Sequence, residues 1–401
     1  SGAGTPAVTE NNDWFFRVIN NNSSQGKFIA EYARAFLGYE SAAIIYNENN
    51  YGVSLKTAFE KSFEEQGGTI VESSAVSNSS ETLDEDIKRI IDGYEEVPDM
   101  IFLATYRDTG VVAIVHAKEL YPEIPIIISS EAANTSFAGQ MAEYLGKRKV
   151  DDILDGVYAA SPLIFDVASE GAQVFQNDYK DLFENELPTW YSATSYDSVF
   201  VAIEAMKAAG ISGDPALIEE DRQKVRDYLD SVDYWDAGFS GITGKIFFNK
   251  DHNVDKPMAM GVFENDKFIS APVQLYEINR SDLPADYLKK VKNGDILKIN
   301  NRYFGKTRIV YVGVDINEFD NVDVDGTRTY LADFYLWFRY EGEELNFENV
   351  QFDNVTSELI LDTPLEEYKL GDTHYVLFNI RDTFRNSFNL SDYPFDRQLL
   401  H

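Results

Sequence analysis

The hydrophobic periodicity of this chain changes near residue 307, and that change constrains the fold more than any other feature. Before it, short apolar runs alternate with segments whose apolar residues recur at helical spacing. After it, apolar and polar residues alternate one by one. The first pattern indicates a parallel sheet covered by helices, and the second indicates a half-buried antiparallel sheet. We therefore predict two folded regions of different class.

The region before the change predicts the order β-α-β-α-β-α-β over residues 41–135. The run 41–46 is apolar, as a buried parallel strand would be. Leu55, Phe59 and Phe63 follow at helical spacing, and Gly67 and Gly68 end that helix. The remaining predicted segments are strands at 69–76, 100–105 and 124–128, helices near 87–91 and at 110–120, 170–186, 195–210 and 221–231, and closing β structure at 239–273.

Two further segments complete the predicted organisation. Residues 276–306 are polar and of mixed composition, which predicts a linker. Beyond them, alternation places two sets of apolar residues on one face each of successive strands. These sets are Val310, Val312, Val314 and Ile316, and then Tyr330, Ala332, Phe334, Leu336 and Phe338.

Composition and motif content exclude several classes of function. The 401 residues carry 35 Lys and Arg against 68 Asp and Glu, a net charge of −33, which opposes binding to nucleic acid. The chain has no cysteine, and its four histidines lack metal-ligand spacing. No catalytic or phosphate-binding motif is present. We therefore expect neither an enzyme nor a cofactor or metal site.

Three segments carry a resemblance in the first 275 residues. They are NDWFFRVINNNSSQGKFIAEYA at 12–33, NNYGVSLKTAFEKSFEEQGG at 49–68 and FSGITGKIFFN at 239–249. In order and spacing, residues 1–275 resemble type 1 periplasmic binding proteins of the Leu/Ile/Val-binding family. The resemblance implies two α/β lobes around a ligand cleft that closes by hinge motion. The chain starts where the first lobe of that family is half built, so we expect a truncated first lobe.

The resemblance also implies ligand-binding residues. Glu131 follows a predicted parallel strand, and ligands of open α/β sheets bind beyond the carboxyl ends of strands. A glutamate at the matching position takes the ammonium group of an amino-acid ligand in the family. The alternative for Glu131 is a favourable position near a helix N-terminus.

Three tyrosines and one threonine complete the candidate ligand site. Tyr51, Tyr106 and Tyr196 match tyrosines that contact the ligand in the family, and tyrosine combines an apolar wall with a hydroxyl group. Packing on the protein's own surface is the alternative for each. Thr5 is the candidate hydroxyl for the ligand's carboxylate, although Gly4 fits that place equally well.

The end of the chain carries a second resemblance. The segment FNLSDYPFDRQLLH at 388–401 and the strands before it resemble the extracellular domain of prokaryotic pentameric ligand-gated ion channels. Residues 307–401 would then form a truncated antiparallel β-sandwich. Its coupling motif would be Tyr393, Pro394, Phe395 and Asp396, in which Pro394 fixes a turn and Phe395 fills the space between two sheets. The alternative is a chance turn motif in another β-sandwich.

Together, the two resemblances predict an extracytoplasmic ligand-binding region of a membrane receptor. It would sense an amino-acid-like small molecule and couple binding to a ligand-gated channel, with a membrane anchor beyond His401. A homo-oligomer is expected, a pentamer if the output is a channel. The alternatives are a solute-binding protein of branched-chain amino-acid ABC transport and the sensor region of a kinase or cyclase receptor. The expected location is periplasmic or cell-surface-facing, with a membrane tether.

Overall fold

The computed structural model describes residues 4–9, 12–77, 81–254, 256, 258–299 and 302–388. The chain divides into two compact units, 1–307 and 308–401. This boundary coincides with the predicted change of periodicity. The predicted coupling motif, Tyr393, Pro394, Phe395 and Asp396, lies outside the described residues.

The first unit is built on a seven-stranded sheet in the order β2-β1-β3-β4-β5-β8-β9. The pairs from β2 to β5 are parallel, whereas β8 and β9 are antiparallel to their neighbours. The predicted parallel sheet is thereby confirmed. The strands of this unit are β1 (Ser41–Asn47), β2 (Thr69–Val76), β3 (Met100–Ala104), β4 (Ile126–Ile128), β5 (Tyr158–Ser161), β6 (Phe239–Gly241), β7 (Gly244–Ile246), β8 (Ala259–Glu264), β9 (Lys267–Ser270), β10 (Val273–Ile278), β11 (Ile296–Ile299) and β12 (Arg302–Arg308).

Helices cover both faces of this sheet. Along β1, Ala42 and Ile44 join one apolar cluster with α1 and α2, while Ala43 and Ile45 join another with α3, α4 and α5. Burial on both faces explains why β1 is apolar at successive positions rather than alternating. The helices are α1 (Asn22–Ala35), α2 (Asn50–Glu65), α3 (Leu83–Asp92), α4 (Arg107–Leu120), α5 (Ser136–Leu145), α6 (Asp151–Leu154), α7 (Glu170–Leu182), α8 (Trp190–Ala209), α9 (Ile218–Asp230) and α10 (Tyr287–Lys292).

A second group of elements in the first unit forms around α8 and α9. Val18, Val201, Val232 and Phe248 belong to one apolar cluster, which also includes the β6–β7 hairpin. We call this the α8–α9 group, and we call the seven-stranded sheet with α1 to α6 the sheet lobe. Segments 16–20 and 249–254 are two of the connections between these groups, and the Arg17 N–H donates to the His252 carbonyl at 3.0 Å between them.

The predicted linker at 276–306 is instead folded. The strands β10, β12 and β11 form a three-stranded sheet, and the segment belongs to the first unit. Ile296, Tyr303 and Phe304 are buried, and Phe304 joins the apolar cluster of α1 and α2. The prediction was wrong because the polar composition of the first half of the segment was taken to describe all of it, whereas these apolar residues lie in the second half.

The second unit is a four-stranded antiparallel sheet in the order β13-β14-β16-β15. The predicted apolar face of β14 is confirmed as the core, because segment 345–361 packs against it and against β16. The matching face of β13 differs from the prediction, since Val312, Val314 and Ile316 are 55%, 57% and 53% exposed. The strands are β13 (Val310–Asp323), β14 (Thr329–Glu341), β15 (Glu366–Leu370) and β16 (Thr373–Arg385).

Candidate functional site

Buried polar side chains tie together the carboxyl ends of β1, β3 and β4. Asn47, at the end of β1, accepts from the Tyr106 N–H at 2.6 Å and donates to the Thr109 hydroxyl at 3.0 Å. Beyond β4, the Ser129 hydroxyl donates to the Thr105 carbonyl at 2.9 Å. Because these groups are buried, each bond also avoids the cost of an unpaired polar atom. The edge is therefore a rigid base for the residues that follow the strands.

Tyr51 and Tyr106 meet at this edge. Their rings stack with centroids 4.9 Å apart and an interplanar angle of 7°. Tyr51 lies in the first turn of α2, where the Asn49 side chain caps the helix. A Cβ at Gly52 would lie 2.3 Å from the Asn47 carbonyl oxygen, so glycine is what allows α2 to begin so close to β1.

The Tyr51 hydroxyl is buried next to the loop that follows β4. Burial raises the pKa of Tyr51 well above its usual range, and the nearby Glu131 carboxylate raises it further. Tyr51 therefore stays neutral and can supply a hydroxyl donor or acceptor.

Glu131 lies in a single 3-10 turn directly after β4. The preceding residue, Ser130, is fixed by Gln25 of α1, whose side chain donates to the Ser130 hydroxyl at 2.9 Å and accepts from its N–H at 3.1 Å. Glu131 itself accepts a hydrogen bond from the Tyr191 hydroxyl at 2.9 Å. Glu131 is half-buried. Hydrogen bonds hold both the backbone of its neighbour Ser130 and its own carboxylate.

Sequence reasoning missed Trp190 and Tyr191, which form the first turn of α8. The Trp190 indole N–H donates to the Ser130 carbonyl at 3.2 Å. The Trp190 ring also stacks on the Tyr191 ring, with centroids 3.6 Å apart. Burial, followed by the charge of Glu131, raises the pKa of Tyr191, whereas the Arg107 guanidinium acts in the opposite direction. The signal available in the sequence was Thr189, a residue type that favours helix N-caps, directly before this aromatic pair.

Arg107 adds a cation to the same region. Its Nε donates to Gln140 at 3.1 Å, its Nη2 donates to the Ser136 hydroxyl at 3.0 Å, and its guanidinium lies 5.9 Å from the centre of the Phe137 ring. The Glu131 carboxylate and the Arg107 guanidinium therefore shift the pKa of Tyr191 in opposite directions. Groups of opposite charge in one site suit a dipolar ligand.

The other two predicted ligand residues, Tyr196 and Thr5, contact other partners. Tyr196 is half exposed on α8, with its ring 5.2 Å from that of Phe175. Thr5 precedes a 3-10 turn, and its carbonyl accepts from Arg17 Nη2 at 2.7 Å. The Gly4 carbonyl accepts from Arg17 Nη1 at 3.1 Å. The structure therefore brings together Tyr51, Tyr106 and Glu131, which with Tyr191 we call the strand-end site.

A parallel sheet with polar residues at its strand ends, connected to a second group of elements, is the architecture of a two-lobed α/β binding protein. The family model described as periplasmic binding protein matches residues 1–267. The chain therefore belongs to the periplasmic binding protein family, and the first predicted resemblance is confirmed at family level. No functionally curated protein matches the chain.

Solved structures share the fold. A leucine-binding protein LivK from Thermotoga maritima is 21% identical, with a TM-score of 0.56, and the match covers 69% of this chain and 71% of that one. A putative branched-chain amino acid ABC transporter from Rhodospirillum rubrum is 25% identical, with a TM-score of 0.53 and coverage of 67% and 71%. LivJ from Streptococcus pneumoniae, solved with isoleucine, is 21% identical, with a TM-score of 0.54 and coverage of 65% and 67%.

Family membership implies an extracytoplasmic location. Among the residues that the structure describes, no helix combines the length and apolar character needed to cross a membrane.

Proposed function

We propose that the first unit binds an amino-acid-like small molecule at the strand-end site, as the solute-binding component of an ABC-type transport system. The observation that carries the proposal is the position of Glu131, beyond the end of β4 and beside the stacked pair of Tyr51 and Tyr106. Structures of the same fold include proteins solved with isoleucine and with leucine, and these support the choice of ligand class.

In this proposal, each group of the ligand meets a matching group of the protein. Glu131 accepts hydrogen bonds from the ammonium group, and charge-assisted bonds of this kind are the strong ones. Tyr51 and Tyr106 form an aromatic wall for the side chain. Thr5 or the backbone at Gly4 holds the carboxylate, and Tyr196 is an additional contact. These last two assignments rest on the resemblance alone.

Calorimetric titration of the full-length protein with the twenty amino acids tests the proposal. We expect an apolar amino acid to bind, and Glu131→Gln to weaken binding about 10- to 100-fold, because one hydrogen bond to a charged group is worth roughly 1.5–3 kcal/mol. Glu123→Gln is the matched control, since Glu123 is exposed just before β4. Unchanged affinity in Glu131→Gln would remove Glu131 from the site, and the absence of any amino-acid binding would contradict the proposed function.

Exposed apolar residues on α8 support the prediction of a truncated first lobe. Val199, Ile203 and Met206 recur at helical spacing and are 42–60% exposed, while the opposite face of α8 is buried in the α8–α9 group. A helix that is apolar on both faces is normally covered on both. We propose that in the complete protein this face belongs to the interior of the first lobe.

Coupling to a ligand-gated channel is the second candidate function. A separate antiparallel unit directly after the binding unit favours it, because a transport-type binding protein has no evident use for such a unit. The channel hypothesis includes a membrane anchor and a pentameric state. It predicts an amino-acid-dependent current when a longer protein that includes the membrane anchor is expressed in oocytes. A longer protein that reaches the membrane and passes no current with any ligand of the first unit would contradict it.

A further inference from the structure

The hydrogen bond between Tyr191 and Glu131 joins two parts of the first unit. Glu131 follows β4 of the sheet lobe, and Tyr191, 60 residues later, lies in the first turn of α8. Farther along the same helix, Val201 and Ala205 are buried in the α8–α9 group. The candidate ligand carboxylate is therefore hydrogen-bonded to a helix that continues into the α8–α9 group.

The ring of Tyr191 is held in place independently of this hydrogen bond. It stacks on Trp190 with a centroid distance of 3.6 Å, and Trp190 is anchored by its bond to the Ser130 carbonyl. A hydroxyl on a fixed ring favours one orientation of the carboxylate that it contacts. Because the bond engages Oε1 of Glu131, Oε2 remains for a second donor.

We infer that Tyr191 is a positioning and specificity residue of the strand-end site. It orients the Glu131 carboxylate toward a primary ammonium group and connects the occupancy of Glu131 to α8. This inference rests on the proposed function, which supplies the ligand class. It adds that the contribution of Tyr191 depends on the positive charge at the amino end of the ligand, so that a ligand with a neutral group in that place loses little affinity when the Tyr191 hydroxyl is removed.

This role predicts that Tyr191→Phe selectively loses affinity for ligands that carry an ammonium group. The variant keeps the ring and its stack on Trp190 but removes the hydroxyl. We expect affinity for leucine to fall about tenfold, because a bond that orients a charged group is lost. Affinity for 2-hydroxy-4-methylpentanoate, which has a hydroxyl in place of the ammonium, should change less than twofold. A purely structural role would weaken both ligands equally.

The experiment is calorimetric titration of both ligands into the wild-type protein, Tyr191→Phe and Tyr234→Phe. Tyr234 is the matched control, because its side chain is exposed and is not part of the proposed ligand site. Thermal unfolding of each variant separates loss of fold from loss of binding.

The outcomes distinguish the two ideas. A wild-type chain that binds no amino acid would overturn both the proposed function and this inference. Wild-type binding of leucine with unchanged affinity in Tyr191→Phe, or with equal losses for the two ligands, would overturn the inference alone. A loss of affinity in Tyr234→Phe as large as that in Tyr191→Phe would show a general effect of removing a tyrosine hydroxyl and would overturn the inference.

Discussion

The buried carboxylate of Asp197, on α8, accepts two hydrogen bonds from Thr243, one from its backbone N–H at 2.9 Å and one from its hydroxyl. The neighbouring Ile242 N–H donates to the same carboxylate at 2.8 Å. A single acidic side chain thus satisfies the turn between β6 and β7, which is the segment that resembles the binding-protein family.

Asp197→Ala should therefore destabilise the first unit. Two backbone N–H groups in the turn lose their partner, and each unsatisfied buried donor costs roughly 1–3 kcal/mol. We expect the free energy of unfolding to fall by about 3 kcal/mol, measured by urea denaturation. Asp227→Ala, at an exposed position on α9, should change it by less than about 0.5 kcal/mol. Equal effects of the two variants would contradict the role given to Asp197.

Glu31 makes the stability of the first unit depend on pH. Burial raises the pKa of this α1 residue to about 7, and the Lys27 ammonium, 3.8 Å away, only partly opposes the effect. A pKa raised in the folded state favours the protonated form. The resulting stabilisation is complete below the unfolded pKa of about 4.5 and is lost as pH rises through about 7.

Glu31→Gln tests this dependence, because it replaces the carboxylate with a neutral group of the same size. We expect the variant to be more stable than the wild type at pH 8, by up to roughly 3 kcal/mol, and to differ little at pH 5. Urea denaturation at both pH values measures the difference. Glu65→Gln, an exposed change on α2, is the control. A variant less stable than the wild type at pH 8 would show that the charged form is favoured in the fold.

The exposed face of α8 should make the 401-residue chain self-associate and bind apolar dyes, as large exposed apolar patches do. We expect the double variant Val199→Gln and Ile203→Gln to reduce both self-association and dye binding. Its free energy of unfolding should change by less than about 0.5 kcal/mol. Light scattering and dye fluorescence provide the measurements. Val201→Gln, on the buried face of the same helix, should instead destabilise the fold. Dye binding that is unaffected by the double variant would locate the exposed surface elsewhere.

Sequence patterns predicted those features that depend on local periodicity. The parallel strands were predicted because they are apolar at successive positions, and Tyr106 and Glu131 could be placed because they directly follow such strands. Tyr191 was missed because the predicted helix began at 195. The structure begins α8 at Trp190, and no side-chain hydrogen bond from Thr189 caps it. The start of the helix thus depends on a tertiary contact, the bond from Trp190 to Ser130.

The face of β13 shows a second limit of periodicity. Alternation correctly grouped Val312, Val314 and Ile316 on one face, because residues two apart in a strand always share a face. It does not reveal whether another segment covers that face. In the second unit the covering segment, 345–361, packs on β14 and β16, and its position depends on contacts that are distant in sequence.

Gly313 of β13 should be intolerant of any side chain. The indole of Trp337, opposite it on β14, lies so close that a Cβ at Gly313 would be 2.0 Å from the ring. We expect Gly313→Ala to displace the indole and to destabilise the second unit by about 1–3 kcal/mol, the usual cost of overpacking. Near-ultraviolet circular dichroism and urea denaturation provide the measurements.

Two control variants separate overpacking from a general effect of replacing glycine. Gly139→Ala, at an open position within α5, should stabilise the chain by roughly 0.5–1 kcal/mol, because alanine favours the helix. The double variant Gly313→Ala with Trp337→Leu should recover part of the lost stability, because the smaller side chain vacates the space above residue 313. A double variant that is destabilised by the sum of the two single changes would show that Gly313 and Trp337 do not interact.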